Sequence, residues 1–342
     1  MKAVLIRKHG GPEVLEIADL PKPKADVGQV LLRVMAAGMN HLDTWVRRGM
    51  PGVTLPLPMI LGSDAAGVIE AAGPGVAGVK PGDRVFVSPG LSCMRCIECC
   101  SGREPLCRDY GMLGEHTNGV QAEFVALPAA NVMPLPDGLS FEEGAAFPLV
   151  FLTAWHMLVA RARVRVGDDV LVHAGGSGVG TAAIQIARLY GARVITTVGS
   201  DDKVKRVKAL GADEAINYRT SDFLDETRRI TRKRGVDVVI DSIGQETWDR
   251  SLRALARGGR LVTCGATSGY QGSTDIRHVF AKGLSILGST MGSRAELLRI
   301  ARLLGERKLK PVIDRVLPLE KVAEGHRAMA ERALFGKIVL TP

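Results

Sequence analysis

Four cysteines, Cys93, Cys96, Cys99 and Cys107, follow one another in a Cys-x2-Cys-x2-Cys-x7-Cys run. Thiols this close can wrap a short lobe of chain around one tetrahedral ion. Four thiolates leave no coordination position vacant, so the pattern predicts one structural zinc per chain rather than a catalytic one. The competing readings are a disulfide pair or a redox thiol, since Cys100 adjoins Cys99. The repeated short spacing favours the metal, and disulfides are rare inside cells. Cys264 reads as a small buried hydrophobe.

A second chemical pattern is Ala174-Gly175-Gly176-Ser177-Gly178-Val179-Gly180, lodged between the apolar run Asp169-Val170-Leu171-Val172-His173 and a helical stretch from Thr181 to Tyr190. Glycines there let the backbone turn tightly against a pyrophosphate, and the N-terminus of the following helix offers free N–H groups and a positive dipole end. Gly175 and Gly180 fit the outer positions of G-x-G-x-x-G, Ser177 stands for the middle glycine, and Gly178 and Val179 complete the cofactor-binding turn. The strand-turn-helix setting makes this a dinucleotide cradle rather than a plain glycine turn. At the next strand's end, Val198-Gly199-Ser200, no carboxylate occupies the tip where one would bind the ribose hydroxyls of NAD. Lys203 and Tyr218 could embrace a 2′-phosphate, which favours NADP. NAD stays open if Lys203 merely starts a helix that Asp201 or Asp202 caps.

These groups need elements to hold them, and the texture of the 342-residue chain changes near residue 150. Before it, short β-rich runs such as 29–34 and 84–87 are separated by Gly and Pro turns, which predicts a β-barrel-like domain. After it, apolar strands at 169–173, 193–197, 236–241, 259–263 and 284–288 alternate with helical stretches, including 203–210. That is the rhythm of βαβ units on a doubly wound parallel sheet. Amphipathic helices around 295–305 and 319–331 and a closing strand at 337–340 are expected to return to the first domain. The expected division is 1–150 with 288–342, and 151–287.

The chain resembles the medium-chain dehydrogenase/reductase superfamily of zinc alcohol dehydrogenases and quinone oxidoreductases. The resemblance is carried by Gly38-Met39-Asn40-His41-Leu42-Asp43, Leu61-Gly62-Ser63-Asp64-Ala65-Ala66-Gly67, residues 79–85, the cysteine lobe, Leu152-Thr153-Ala154-Trp155 and the glycine loop. It implies an α/β protein: a GroES-like β-barrel catalytic domain made from both ends of the chain, a Rossmann coenzyme domain between them, and hydride transfer. It also implies that Thr153 and Ser200 border the cofactor, and that Lys203, Tyr218 and Arg332 hold the 2′-phosphate. At the three positions where alcohol dehydrogenases of this family hold a second, catalytic zinc, this sequence has Asn40, Ser63 and Leu149. An amide, a hydroxyl and an alkyl group make a poor zinc site, so catalytic zinc is expected to be absent. His41 and Asp64 lie nearby as potential weak ligands.

Without a Lewis acid nothing lowers the pKa of an unactivated alcohol, whereas a quinone, enone or activated carbonyl is already polarised for hydride. The expected reaction is hydride delivery from NADPH to such a small hydrophobic acceptor. Asn40 is the candidate donor to the developing oxyanion, His41 a cofactor contact or proton relay, Ser63 a further donor to substrate, and Asp43 an orienting or helix-capping group. Asp64 is expected to pair with Arg47 or Arg48. The alternatives are a zinc alcohol dehydrogenase with substituted ligands, and a non-enzymatic NADPH-binding redox sensor or nucleic-acid binder. The net charge of +9 is scattered, and its densest patch, 228–234, reads as a solvated helix face, against a nucleic-acid surface. No run approaches the ~20 apolar residues of a membrane helix, no signal peptide is evident, and the chain reads as cytoplasmic. The strand 284–288 lies where relatives pair their coenzyme domains, which points to a homodimer or homotetramer.

Overall fold

The strand Gln29–Gly38 organises the first half of the molecule. In the computed structural model, which describes residues 1–342, it pairs with Asp64–Ala72 along one edge; on the other edge Phe124–Pro128 covers its first half and Lys337–Thr341 its end. The sheet reads Val132–Pro134, Arg84–Val87, Asp64–Ala72, Gln29–Gly38, Lys337–Thr341, Ile313–Pro318. Two bulges bend the central strand, between Leu31 and Leu32 and between Val34 and Ala36, which curls the sheet towards a barrel. Val30, Leu32, Val34, Ile69, Val85 and Val125 fill one core cluster. The helix Phe141–Ala146 closes over Gly38. A Cβ at Gly38 would sit 2.1 Å from the Ala145 carbonyl oxygen, so only glycine admits the helix there.

The second half carries a six-stranded parallel sheet in the order Glu214–Asn217, Arg193–Val198, Asp169–Val172, Val236–Asp241, Leu255–Thr263, Ser285–Gly288. Val170, Leu171, Val172, Val238, Val239 and Leu261 are wholly buried, as a parallel sheet covered on both faces requires. The strand order reverses between Asp169–Val172 and Val236–Asp241, and such switch points are where α/β sheets bind ligands at their carboxyl ends. The glycine loop begins at that point.

The chain divides into a unit of Met1–Val150 with Ser293–Pro342 and a unit of Phe151–Gly292. The second boundary lies five residues beyond the one expected at 287/288. Helices also start earlier than the apolar periodicity suggests: Gly178–Leu189 and Asp201–Leu210 open on polar or glycine residues capped by Ser177 and Ser200. The edge strand Glu214–Asn217, too short for a clear pattern, was not anticipated.

Candidate active site

The four cysteines converge as predicted. Their Sγ atoms all lie within 4.8 Å of one another; Cys96–Cys99 is 3.5 Å, Cys93–Cys107 3.6 Å and Cys93–Cys99 3.9 Å. A tetrahedron of thiolates about 2.3 Å from zinc has edges of about 3.8 Å, so the set fits the ion and no disulfide bridges it. Met94 takes a left-handed φ of 59° to turn the first knuckle. Backbone N–H groups of Arg95 and Cys96 pull the Cys93 thiol down to about 6, while burial pushes Cys99 up to about 11. Cys100 is exposed, outside the cluster.

The corner where relatives would hold a second zinc is built by the register of three strands. Gly38 pairs with Asp64 on one side and Val339 on the other, so Asn40, Asp64 and Lys337 come together although Asn40 and Lys337 are 297 residues apart. Asp64 accepts from the Asn40 amide (2.9 Å), the Leu149 backbone N–H (2.9 Å) and the Lys337 ammonium (3.3 Å). Lys337 also donates to Asn40 Oδ1. Asp43 Oδ2 accepts from the Asn40 backbone N–H (2.8 Å) and from Gln121 Nε2 (3.1 Å), while Asp43 Oδ1 is buried without a protein partner. Burial pushes the Asp43 carboxyl up to about 7 and draws the Lys337 ammonium down, with Asp64 and Asp43 opposing the latter shift.

This arrangement corrects three expectations. Asp64 pairs with Lys337, and not with Arg47 or Arg48. Arg47 is itself fully buried and donates to the Gly10 carbonyl at 2.9 Å. Ser63 turns away to donate to the Leu113 carbonyl at 2.8 Å and has no exposed surface, so its hydroxyl is spent inside the fold. Asn40 caps the helix His41–Arg48, and its amide hydrogens face Asp64 and, at 3.5 Å, the Gly38 carbonyl, leaving none to offer a substrate oxygen. Asp43 is the helix-capping group expected of it. Of the five residues assigned to chemistry, only His41 is exposed. Its ring meets Trp45 edge-on at 5.3 Å, and partial burial, then the charges of Arg48 and Arg332, hold its pKa below the usual histidine value. Sequence reasoning missed Lys337 and Gln121. The one available signal was a lysine opening an otherwise apolar strand.

Steric fit explains the glycine loop. A Cβ on Gly175 would lie 2.2 Å from Thr196 Oγ1, and one on Gly180 2.2 Å from the Ala174 carbonyl oxygen. Ser177 has an ordinary φ of −80°, needs no glycine, and accepts from the Gly180 N–H at 3.0 Å as the helix cap. The first-turn N–H groups of Gly178 and Val179 therefore stand where a phosphate would accept from them. Beyond the neighbouring strand, Ser200 caps Asp201–Leu210 through the Lys203 N–H, and Tyr218, 40% exposed, lies against Gly199. Asp201 is engaged by Asn217 Nδ2 at 2.8 Å. Ser200, Lys203 and Tyr218 thus share the carboxyl ends of two adjacent strands. Thr153 is buried with its hydroxyl 3.7 Å from Met291 Sδ. Arg332, left-handed at φ 56°, follows the helix Val322–Ala330 in the other unit.

Residues 26–137 match the model of the alcohol dehydrogenase GroES-like domain, and residues 178–306 that of the zinc-binding dehydrogenase. Human quinone oxidoreductase is 35% identical over 99% of this chain and 97% of its own length. The chain belongs to the medium-chain dehydrogenase/reductase superfamily. Among solved members, an NAD-dependent alcohol dehydrogenase is 55% identical with a TM-score of 0.96, each chain covered in full. A cobalt- and zinc-bound thermostable alcohol dehydrogenase from Pyrobaculum aerophilum is 34% identical with a TM-score of 0.91, covering 100% of this chain and 99% of its own. This medium-chain dehydrogenase/reductase is accordingly an oxidoreductase. Its first unit is the GroES-like domain, its second the Rossmann domain, and no helix is long and apolar enough to cross a membrane.

Proposed function

We propose that the chain reduces quinones, enones or other activated carbonyl compounds, using NADPH and one structural zinc but no catalytic metal. The observation that carries this reading is the donor set of the corner. Ser63 is turned to Leu113, Asn40 and Asp64 are bound to Lys337, and position 149 offers only a backbone N–H. These groups do not fit a catalytic zinc, which wants imidazole or thiolate ligands with a free position. Lacking a Lewis acid, the protein favours acceptors whose carbon is already polarised by conjugation. A bound nicotinamide would supply the hydride, and the steric demands at Gly175 and Gly180 fit a dinucleotide held at the loop. His41, exposed and biased towards its neutral form, would relay from solvent the proton that follows the hydride. Trp45, half-buried and edge-on to it, suits a hydrophobic acceptor.

NADP is favoured by Lys203 and Tyr218 and by the strand tip without a carboxylate. A second reading, NAD-linked alcohol oxidation, draws on the 55% identical NAD-dependent alcohol dehydrogenase. Metal analysis and steady-state assays on the same preparation separate them. The proposal expects about one zinc per chain, turnover of quinones or enones, and preference for NADPH. Two metals with primary-alcohol oxidation would overturn it.

A further inference from the structure

We infer that the Rossmann unit carries a second anion site, apart from the glycine loop, in which Arg161, Arg163, Arg165 and Arg260 take a phosphoryl-bearing small molecule such as pyrophosphate. The site is independent of which acceptor or coenzyme the enzyme uses.

The four arginines line a cavity of about 310 Å³ together with Ser285 and Leu287 of the edge strand. That volume lies at the lower end of small-molecule pockets. No lining residue belongs to the loop Ala174–Gly180 or to the group of Ser200, Lys203 and Tyr218, so a ligand here would not take the coenzyme's place. The local fold explains how the cations gather. Beyond the helical turn His156–Arg161 the chain is anchored by Ala162 and Val164, both buried, and the Val164 N–H donates to the Leu158 carbonyl at 2.9 Å. The alternate residues Arg161, Arg163 and Arg165 are left exposed. Arg161 Nε donates to the Gly288 carbonyl at 2.8 Å, which ties this segment to the edge strand. Across the cavity Arg260 Nη2 meets Asp168 Oδ2 at 2.6 Å, while its buried Nε has no protein acceptor. Asp168 is already engaged, since the same oxygen accepts from the Arg165 backbone N–H at 3.0 Å. No carboxylate lies within 4.0 Å of the Arg161, Arg163 or Arg165 guanidinium. Like charges this close in the chain repel within a Debye length of about 10 Å. An anion between them relieves that repulsion and gains charge-assisted hydrogen bonds from forks whose geometry matches phosphate oxygens. A halide would leave most of the charge unmet, whereas a phosphoryl dianion or pyrophosphate answers it.

The test titrates inorganic pyrophosphate calorimetrically into the full-length protein, with NADH or NADPH, whichever binds, kept saturating so that the coenzyme's own phosphate contacts are filled. Wild type is expected to bind about one pyrophosphate per chain with a Kd below about 1 mM, and to bind at least about threefold more weakly when NaCl is raised from about 50 to about 200 mM. The double variant Arg163→Ser/Arg165→Ser should lose at least about tenfold in affinity. Its melting temperature without pyrophosphate should equal or exceed that of wild type, because two unpaired like charges are gone. A control pair, Lys24→Ser/Lys80→Ser, removes the same charge from exposed positions of the other unit and should bind as wild type does. No binding in wild type, or equal losses in the two pairs, overturns the inference. Light scattering covers the remaining explanation, that these arginines answer carboxylates of a second copy beside the edge strand. An assembly that dissociates in Arg163→Ser/Arg165→Ser, from a wild type that takes up no pyrophosphate, would assign them to that contact and refute the anion site. Because the readout is binding, failure of the proposed reaction leaves the result intact.

Discussion

His326 shows how one buried side chain sets a pH limit on the fold. It has no exposed surface, its Nε2 lacks a protein partner, and its Nδ1 is 3.5 Å from Thr44 Oγ1. Burial, then the charges of Arg47, Arg48 and His41, push its pKa down to about 3. The folded protein therefore refuses a proton that the unfolded chain accepts below about 6.5. This term is fully present above that value and is lost as the pH falls towards about 3. His326→Gln should consequently resist acid better relative to its own neutral-pH stability. Urea midpoints at pH 7 and about pH 4.5 should fall further for wild type than for the variant. Equal falls would show that His326 takes no part. Asp43 titrates in the opposite sense, losing its contribution as the pH rises towards 7, but it does so in both proteins and cancels from the difference.

Elements built on local spacing were legible, and those built on distant partners were not. The cysteine lobe spans fifteen positions and the glycine loop seven, so ligand type, turn geometry and strand-turn-helix context all lie within one window of sequence. Within the loop, the two outer glycines and the central serine have different physical duties, which gives a prediction. Gly180→Ala drives a Cβ into the Ala174 carbonyl and should weaken NADPH binding at least about tenfold, measured by nucleotide fluorescence, because the phosphate-facing turn must open. Ser177→Ala removes only a cap and should cost about 1 kcal/mol of stability with a far smaller change in affinity. Comparable affinities for the two would refute the cradle. The corner, by contrast, depends on Gly38 being flanked by Asp64 and Val339, a register set across most of the chain. Composition around Lys337 says only that an apolar strand begins with a lysine. Both edges of this strand are taken, by Gln29–Gly38 and Ile313–Pro318, and its first four residues are buried on both faces, which makes Lys337 interior. Ser63 misled for the same reason, since its partner Leu113 lies fifty residues on.

At the scale of the molecule, the open edge of the Rossmann sheet is the feature most in need of a partner. Ser285–Gly288 bonds only to Leu255–Thr263, and beside it Ile276 and Phe280 are 75% and 72% exposed, with Ile286 at 39%. Unprotected edges with apolar neighbours invite strand addition. We expect a second copy to pair there, giving a dimer or a higher even-numbered assembly. Light scattering coupled to gel filtration should find that mass in wild type and a shift towards monomer in Phe280→Glu and Ile286→Lys. A monomeric wild type would dismiss the idea.

The return of Lys337–Thr341 into the first sheet also dictates the order of assembly during synthesis. Phe151–Gly292 is one continuous segment and can close its sheet while the rest is still being translated, but the strand pairing that seats Asn40 waits for residues near position 340 to leave the ribosome. Domains usually form from the N-terminus onward; here the strands within the opening 150 residues can pair with one another, but the edge beside Gly38 stays open until Lys337–Thr341 arrives.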